Sequence, residues 1–182
     1  IEGKTYYCGI FTVPQNWEEP DGRNLDLFFV VARATGDNSE PDPLVFLAGG
    51  PGQSSVLVAL TAYDGVRSTR DIVRLAQRGT GLSQRLDVPE CLVAAFSSNA
   101  AEEKLAVLVE SLSALDSADE NGRSADTVQR SLDLQAKVNK LCWEQFTSDG
   151  LDLNQFSTAA SARDLVEFVK ALGYERYNIH GV

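Results

Sequence analysis

The sequence contains no methionine and a single histidine, and its three cysteines lie far apart. Without methionine, Ile1 is expected not to be a translation start, and any leader is expected to have been removed already, which leaves export open. Cys8, Cys91 and Cys142 match no close-spaced zinc or redox pattern such as Cys-x-x-Cys, so a bound metal is not expected. No apolar run approaches the roughly 20 residues of a membrane-spanning helix, and Ile1 opens directly into polar sequence without the form of a signal peptide or anchor. Positive charge is also scarce. Basic residues number 16 against 26 acidic ones, and the formal net charge of -10 repels phosphate backbones and anionic bilayers. Nucleic acid is therefore not an expected partner. Arg67, Arg70, Arg74, Arg78 and Arg85 fall close together but lack interleaved aromatics, so they read as solvated or ion-paired positions rather than a binding stripe.

What is present suffices for a soluble globular domain: 182 residues, 43% of them hydrophobic. The organising stretch is Leu44-Val45-Phe46-Leu47-Ala48-Gly49-Gly50-Pro51-Gly52. Its apolar start is too short for a helix and lacks polar alternation, which predicts a buried central strand. The glycines then let main-chain N–H groups approach a ligand oxygen, while Pro51 fixes the exit direction. That arrangement suits an oxyanion hole; a tight turn without a ligand is the plainer alternative. A phosphate cradle does not fit, because no Lys-Ser or Lys-Thr follows at P-loop spacing.

Taken in order, residues 6–13 have strand composition and stop at Pro14, and a turn-rich segment leads to a second strand over Leu25–Thr35. The loop 36–43 feeds the strand at Leu44, a crossover runs from Gln53 to about Thr69, and Asp71–Leu75 forms another short strand before Ala76-Gln77-Arg78-Gly79-Thr80-Gly81-Leu82-Ser83. Residues 86–153 form an excursion with two expected helices. The first is capped at Asn99 with Glu102 and carries Leu105, Leu108, Val109, Leu112 and Leu115 on one face. The second runs from about Ala125 to Phe146 with Val128, Leu132, Leu141 and Cys142 facing a core. Cys91 and Cys142 flank this helical region and are the candidate disulfide, which requires an oxidising compartment. Cys8 is then left over, either partnered outside this chain or held as a buried free thiol. A helix follows Phe156-Ser157-Thr158 with Leu165, Val166, Val169 and Leu172 on one face, Gly173 stops it, and a strand is expected to begin at once.

The Gly-Gly-Pro-Gly turn, the Gln77–Ser83 loop and the terminal Tyr177-Asn178-Ile179-His180-Gly181-Val182, in this order, resemble the α/β-hydrolase fold. More narrowly, the set is similar to the proline iminopeptidase and tripeptidyl aminopeptidase family of serine peptidases, and the resemblance covers nearly the whole chain. Residues 154–158 and 171–174 resemble the stretch before that family's nucleophile, and Cys8-Gly9 with Thr12-Val13-Pro14 resembles the start of its exported branch. The resemblance implies a mostly parallel sheet with an antiparallel start, residues 1–182 being the N-terminal part of one catalytic domain. It implies a peptide substrate, no cofactor, and a periplasmic or extracellular location ahead of a cytoplasmic one. The family has an acidic residue where this chain has Ala76, so Arg78 is expected to have lost a partner.

In this fold the nucleophile sits in a Gly-x-Ser-x-Gly turn, followed along the chain by the acid and then the histidine. Gly181 and Val182 supply the first two positions, and the serine is expected to be the next residue, so the 182-residue chain is expected to be inert. The triad's acid and base, and a cap domain that binds the free amine, are likewise expected beyond Val182. His180 precedes the nucleophile and so reads as a core or strand-end residue. Ser54, Ser55 and Ser83 lack the nucleophile frame and read as loop serines bonded to local backbone. The site in hand is therefore the main chain at Gly50 and Gly49, with Gly50 favoured as the donor, each donor contributing roughly 3 kcal/mol to an oxyanion. The alternatives are an esterase of the same fold, or a non-catalytic truncated fragment whose exposed central strand makes it associate.

Overall fold

The computed structural model describes residues 6–50, 52–58, 63–84, 86, 91 and 125–182. The chain divides into two compact units, one made of Ile1–Arg85 with Asn154–Val182 and the other of Leu86–Leu153. The first is an α/β unit built on a mixed five-stranded sheet.

Its strands are β1 (Tyr6–Pro14), β2 (Asn24–Ala32), β3 (Leu44–Leu47), β4 (Ile72–Leu75) and β5 (Asn178–Gly181), in the spatial order β1-β2-β4-β3-β5. β1 and β2 form an antiparallel hairpin in which Tyr6 faces Ala32 and Pro14 faces Asn24. Pro14 lacks an N–H and ends the strand, and the hairpin closes through Gln15 N–H to the Arg23 carbonyl at 2.7 Å. β2 runs antiparallel to β4, whereas β3 runs parallel to both β4 and β5.

Side chains alternate across a strand, so the register assigns two faces. On one face Val31, Val73, Val45 and Ile179 form a row across four strands. This face carries the helix Thr158–Ala171, whose Phe168 ring lies 5.2 Å from Phe11 and 4.9 Å from Phe29. Leu165, Phe168 and Val169 are buried there, each stabilising the unit by about 2 kcal/mol. On the other face Val30, Arg74, Phe46 and His180 form the matching row. It packs against the β3–β4 crossover, which contains the short helix α1 (Asp64–Arg67) and Tyr63, whose ring lies 5.1 Å from Phe46.

The second unit contains α2 (Ala125–Ser148), and Thr158–Ala171 is accordingly α3. Cys91 and Cys142 are joined by a disulfide within this unit. Burial on α2 gathers near its C-terminal end at Cys142, Gln145 and Phe146. Val128 and Leu132 are exposed, so the core-facing stripe expected along the whole helix holds only where the disulfide and the fold-back of Leu151 N–H onto the Phe146 carbonyl draw the chain together. The other expected helix, with Asn99, Glu102 and its leucines, lies outside the described residues.

α3 begins where the sequence marks it. The Ser157 hydroxyl accepts the Ala160 N–H at 3.3 Å as an N-cap, and Gly173, at φ +86°, sends its N–H to the Lys170 carbonyl while Tyr174 N–H reaches Val169. The strand expected directly after Gly173 starts instead at Asn178. The intervening Tyr174 hydroxyl bonds Asp71, which also holds Arg33 at 2.6 Å and the Ala34 N–H at 2.7 Å.

Candidate active site

Val45 and Phe46 are buried in β3, and the chain leaves the sheet at its carboxyl end through Ala48, Gly49 and Gly50. Gly50 has φ +127°, a conformation that side chains strain, and a Cβ there meets Gln53 N at 3.0 Å. The turn closes through Gln53 N–H to the Gly49 carbonyl at 3.2 Å. Pro51 lies outside the described residues. Gly49 is glycine for a different reason: a Cβ there falls 2.2 Å from the carbonyl oxygen of Val182. Close backbone approach, read from the sequence as room for a ligand, is at Gly49 an approach to the end of β5.

That contact follows from topology. The strands that succeed β3 in the chain lie on opposite sides of it, β4 on one and β5 on the other. Such a switch point leaves a crevice beyond the carboxyl ends of the strands, where open α/β sheets bind ligands. Val182 N–H reaches the Leu47 carbonyl at 3.3 Å and keeps β5 in register to its end. Gly49, Gly50, Gly181 and Val182 therefore all stand at the mouth of this crevice. Among the described residues no hydrogen bond engages the N–H of Gly49 or Gly50. A Cβ at Gly181 meets nothing within 4 Å, so no contact in the unit demands glycine there.

The second glycine loop follows β4 beside the first. Gly79 and Gly81 adopt φ +83° and +57°, and Thr80 N–H to Gln77 and Ser83 N–H to Thr80 close two tight turns. The Ser83 hydroxyl ties its loop to β2, accepting the Phe28 N–H at 3.0 Å, and closes the loop by donating to the Ala76 carbonyl at 2.8 Å. Ser55 donates to the Leu75 carbonyl at 2.7 Å. Ser55 thus reaches a neighbouring strand, Ser83 bonds both β2 and its own loop, and the buried Ser54 hydroxyl has no hydrogen-bond partner among the described residues.

Arg78 has not lost its partner. Its guanidinium is fully buried and bonds Asp164 of α3 through two parallel contacts of 2.7 and 2.6 Å, with further bonds to the carbonyls of Pro14, Gln15 and Gln155. The Trp17 indole N–H donates 2.8 Å to the same carboxylate. The signal for Asp164 in the sequence is a carboxylate four residues before Phe168, inside the apolar stripe of α3. Arg67 and Arg74 are buried as well rather than solvated, and Arg67 meets the ion-paired alternative through Asp64 at 3.7 Å. Arg67 donates to the Arg33 carbonyl at 2.8 and 3.1 Å and stacks on Tyr6, and Arg74 donates to the Val58 carbonyl at 2.7 Å. Burial pushes the Arg74 guanidinium below its ordinary value. Arg70 pairs with Asp42, whose carboxyl is held low by that guanidinium and by Asn178. Arg85 lies outside the described residues.

His180 is exposed at the end of β5, its ring stacked near Phe46 at 6.1 Å and edge-on to Tyr63 at 5.6 Å. Cys8 is a free thiol, exposed on β1 rather than buried. A cavity of about 450 Å³ opens between α3 and the carboxyl ends of the strands, its lining mainly apolar, with Leu47, Leu75, Phe156 and Ile179, but including Gln77 and Ser161. Among the described residues no cluster of His, Cys, Asp or Glu has the makings of a metal site, and no helix is long and apolar enough to cross a membrane. The crevice thus offers preorganised main-chain donors at a switch point, chemistry suited to holding a developing oxyanion. No family model matches the chain, and no curated protein matches it either.

Proposed function

We propose that the chain is the N-terminal part of a serine hydrolase of the α/β-hydrolase fold, an aminopeptidase that releases residues from peptide N-termini. The observation that carries this reading is the seating of Gly49 against the Val182 carbonyl, which puts the glycine turn beside the end of β5 at the switch point. In this reading the nucleophile follows Val182 on a sharp strand-to-helix turn. Its hydroxyl oxygen adds to the scissile carbonyl as its proton passes to the histidine, and the oxyanion that forms accepts hydrogen bonds from the Gly50 N–H and from the N–H just past the serine. The acid, the histidine and the cap that binds the substrate amine belong to the chain beyond Val182. The chain's own contribution is the hole and the scaffold that fixes it. The Cys91–Cys142 disulfide supports an exported protein, since such bonds persist in oxidising compartments.

The first test is the coding sequence beyond Val182. Ser-x-Gly is the expected continuation, and a stop codon or a non-nucleophilic residue removes the catalytic reading while leaving the fold. The second test compares aminoacyl anilides with short acyl esters on the full-length protein. Turnover of anilides bearing a free amine is expected. Activity confined to acyl esters rejects the peptidase and keeps the esterase.

A further inference from the structure

We infer that Ser54 is a positioning residue for the oxyanion turn, acting through a packing contact with Gly81 that sets the loops after β3 and β4 as one unit; this rests on the hydrolase reading above. Ser54 sits in extended conformation, φ -98° and ψ 127°, and is 5% exposed. A Cβ placed on Gly81 falls 2.2 Å from the Ser54 Oγ and 2.5 Å from its Cβ, so the Ser54 side chain occupies the space that the glycine leaves open. Among the described residues its hydroxyl has no hydrogen-bond partner, and packing against Gly81 is the interaction it makes. An unsatisfied buried hydroxyl carries a desolvation penalty and calls for an explanation, and the position of the residue supplies one.

Ser54 is the middle of three consecutive residues that each fasten the turn. Gln53 N–H closes the turn on the Gly49 carbonyl, Ser54 meets Gly81, and the Ser55 hydroxyl donates to the last carbonyl of β4, at Leu75. The loop on the other side of the contact is itself rigid. Ser83 ties it to β2 and to Ala76, Thr80 bonds back to Gln77, and Arg78 anchors it to Asp164. Close-packed interiors transmit displacement rather than absorb it. A shift at Gly81 therefore passes through Ser54 to Gln53 and Gly50, whose N–H direction sets the strength of the hole.

The test is a pair of substitutions in the full-length protein, read by kcat, KM and amide exchange. Gly81→Ala drives a methyl group into Ser54, and kcat is expected to fall about tenfold with KM changed less than twofold, since complete loss of one donor costs about 100- to 1,000-fold. Adding Ser54→Gly clears the space and is expected to restore at least a third of the lost kcat, although the strain of alanine at φ +57° persists. A merely destabilising effect does not show that split or that rescue. Exchange at Gly50 and Gln53 is expected to quicken in Gly81→Ala and slow again in the double variant. Unchanged kcat and exchange in Gly81→Ala, or a loss that Ser54→Gly does not relieve, overturns the inference. A wild-type protein inert to both anilides and esters overturns the hydrolase reading instead, and exchange at Gly50 and Gln53 then decides the coupling alone.

Discussion

Replacing Asp164 by asparagine tests what holds the α/β unit together behind its crevice. The substitution keeps shape and removes charge, leaving the Arg78 guanidinium buried without its anion. Breaking one partner of a buried pair costs about 3–5 kcal/mol. Three carbonyls, those of Pro14, Gln15 and Gln155, stay on Arg78 and place the expected loss at the lower end, about 3 kcal/mol. For a unit of this size that corresponds to a Tm lower by about 10 °C. Urea unfolding followed through Trp17 is the assay, because its indole N–H bonds the same carboxylate. Trp143 is the other tryptophan of these 182 residues, and Trp143→Phe leaves Trp17 as their sole reporter. A cycle with Arg78→Met then measures the coupling, expected to be about 2 kcal/mol or more. A loss below about 1 kcal/mol in Asp164→Asn, or a coupling near zero, refutes the account of a pair whose members depend on each other.

Other perturbations reach different parts of the chain. The Tyr174 phenol is pushed up to about 12 by burial first and by the Asp71 carboxylate second. Its protonated form is the one the fold favours, so its contribution is whole below pH of about 10 and is lost as pH rises through about 12. Wild type should therefore lose its stability advantage over Tyr174→Phe across that window in chemical-denaturation midpoints, and a constant difference contradicts the linkage. Reducing the disulfide, which joins residues 51 positions apart, should destabilise the second unit by about 4 kcal/mol on a chain-entropy basis, read as a shift of its own unfolding transition with and without dithiothreitol. Gly49→Ala puts a methyl 2.2 Å from the Val182 carbonyl and should loosen β5, so faster amide exchange at Ile179 and Val182 is expected and unchanged exchange argues against the contact.

Much of the architecture is legible in the sequence because its signals are local. Leu44–Leu47 reads as a strand from its bounded apolar run, and α3 announces both ends, by Ser157 and by Gly173. The buried arginines are illegible for the opposite reason. Arg67 and Arg74 are satisfied largely by carbonyls of Arg33 and Val58, 34 and 16 positions away, which leave no mark in composition, and Arg78 is held by the Asp164 carboxylate, 86 positions away. The hydroxyl of Tyr174 likewise delays β5 by engaging Asp71 at a separation of 103. At the crevice, the glycines of the turn are visible but their reasons differ. Gly50 needs its positive φ, while Gly49 yields space to Val182, a neighbour that only the strand order brings near.

The exposed thiol on β1 makes the protein convenient to observe. Cys91 and Cys142 are bonded to each other, so within these 182 residues and under non-reducing conditions Cys8 is the single attachment point for a maleimide dye or spin label. β1 stands at the outer edge, three inter-strand spacings from β3, or about 14 Å. A probe there is close enough to sense ligand arrival at the crevice by energy transfer or dipolar broadening, and far enough to leave the glycine turn untouched.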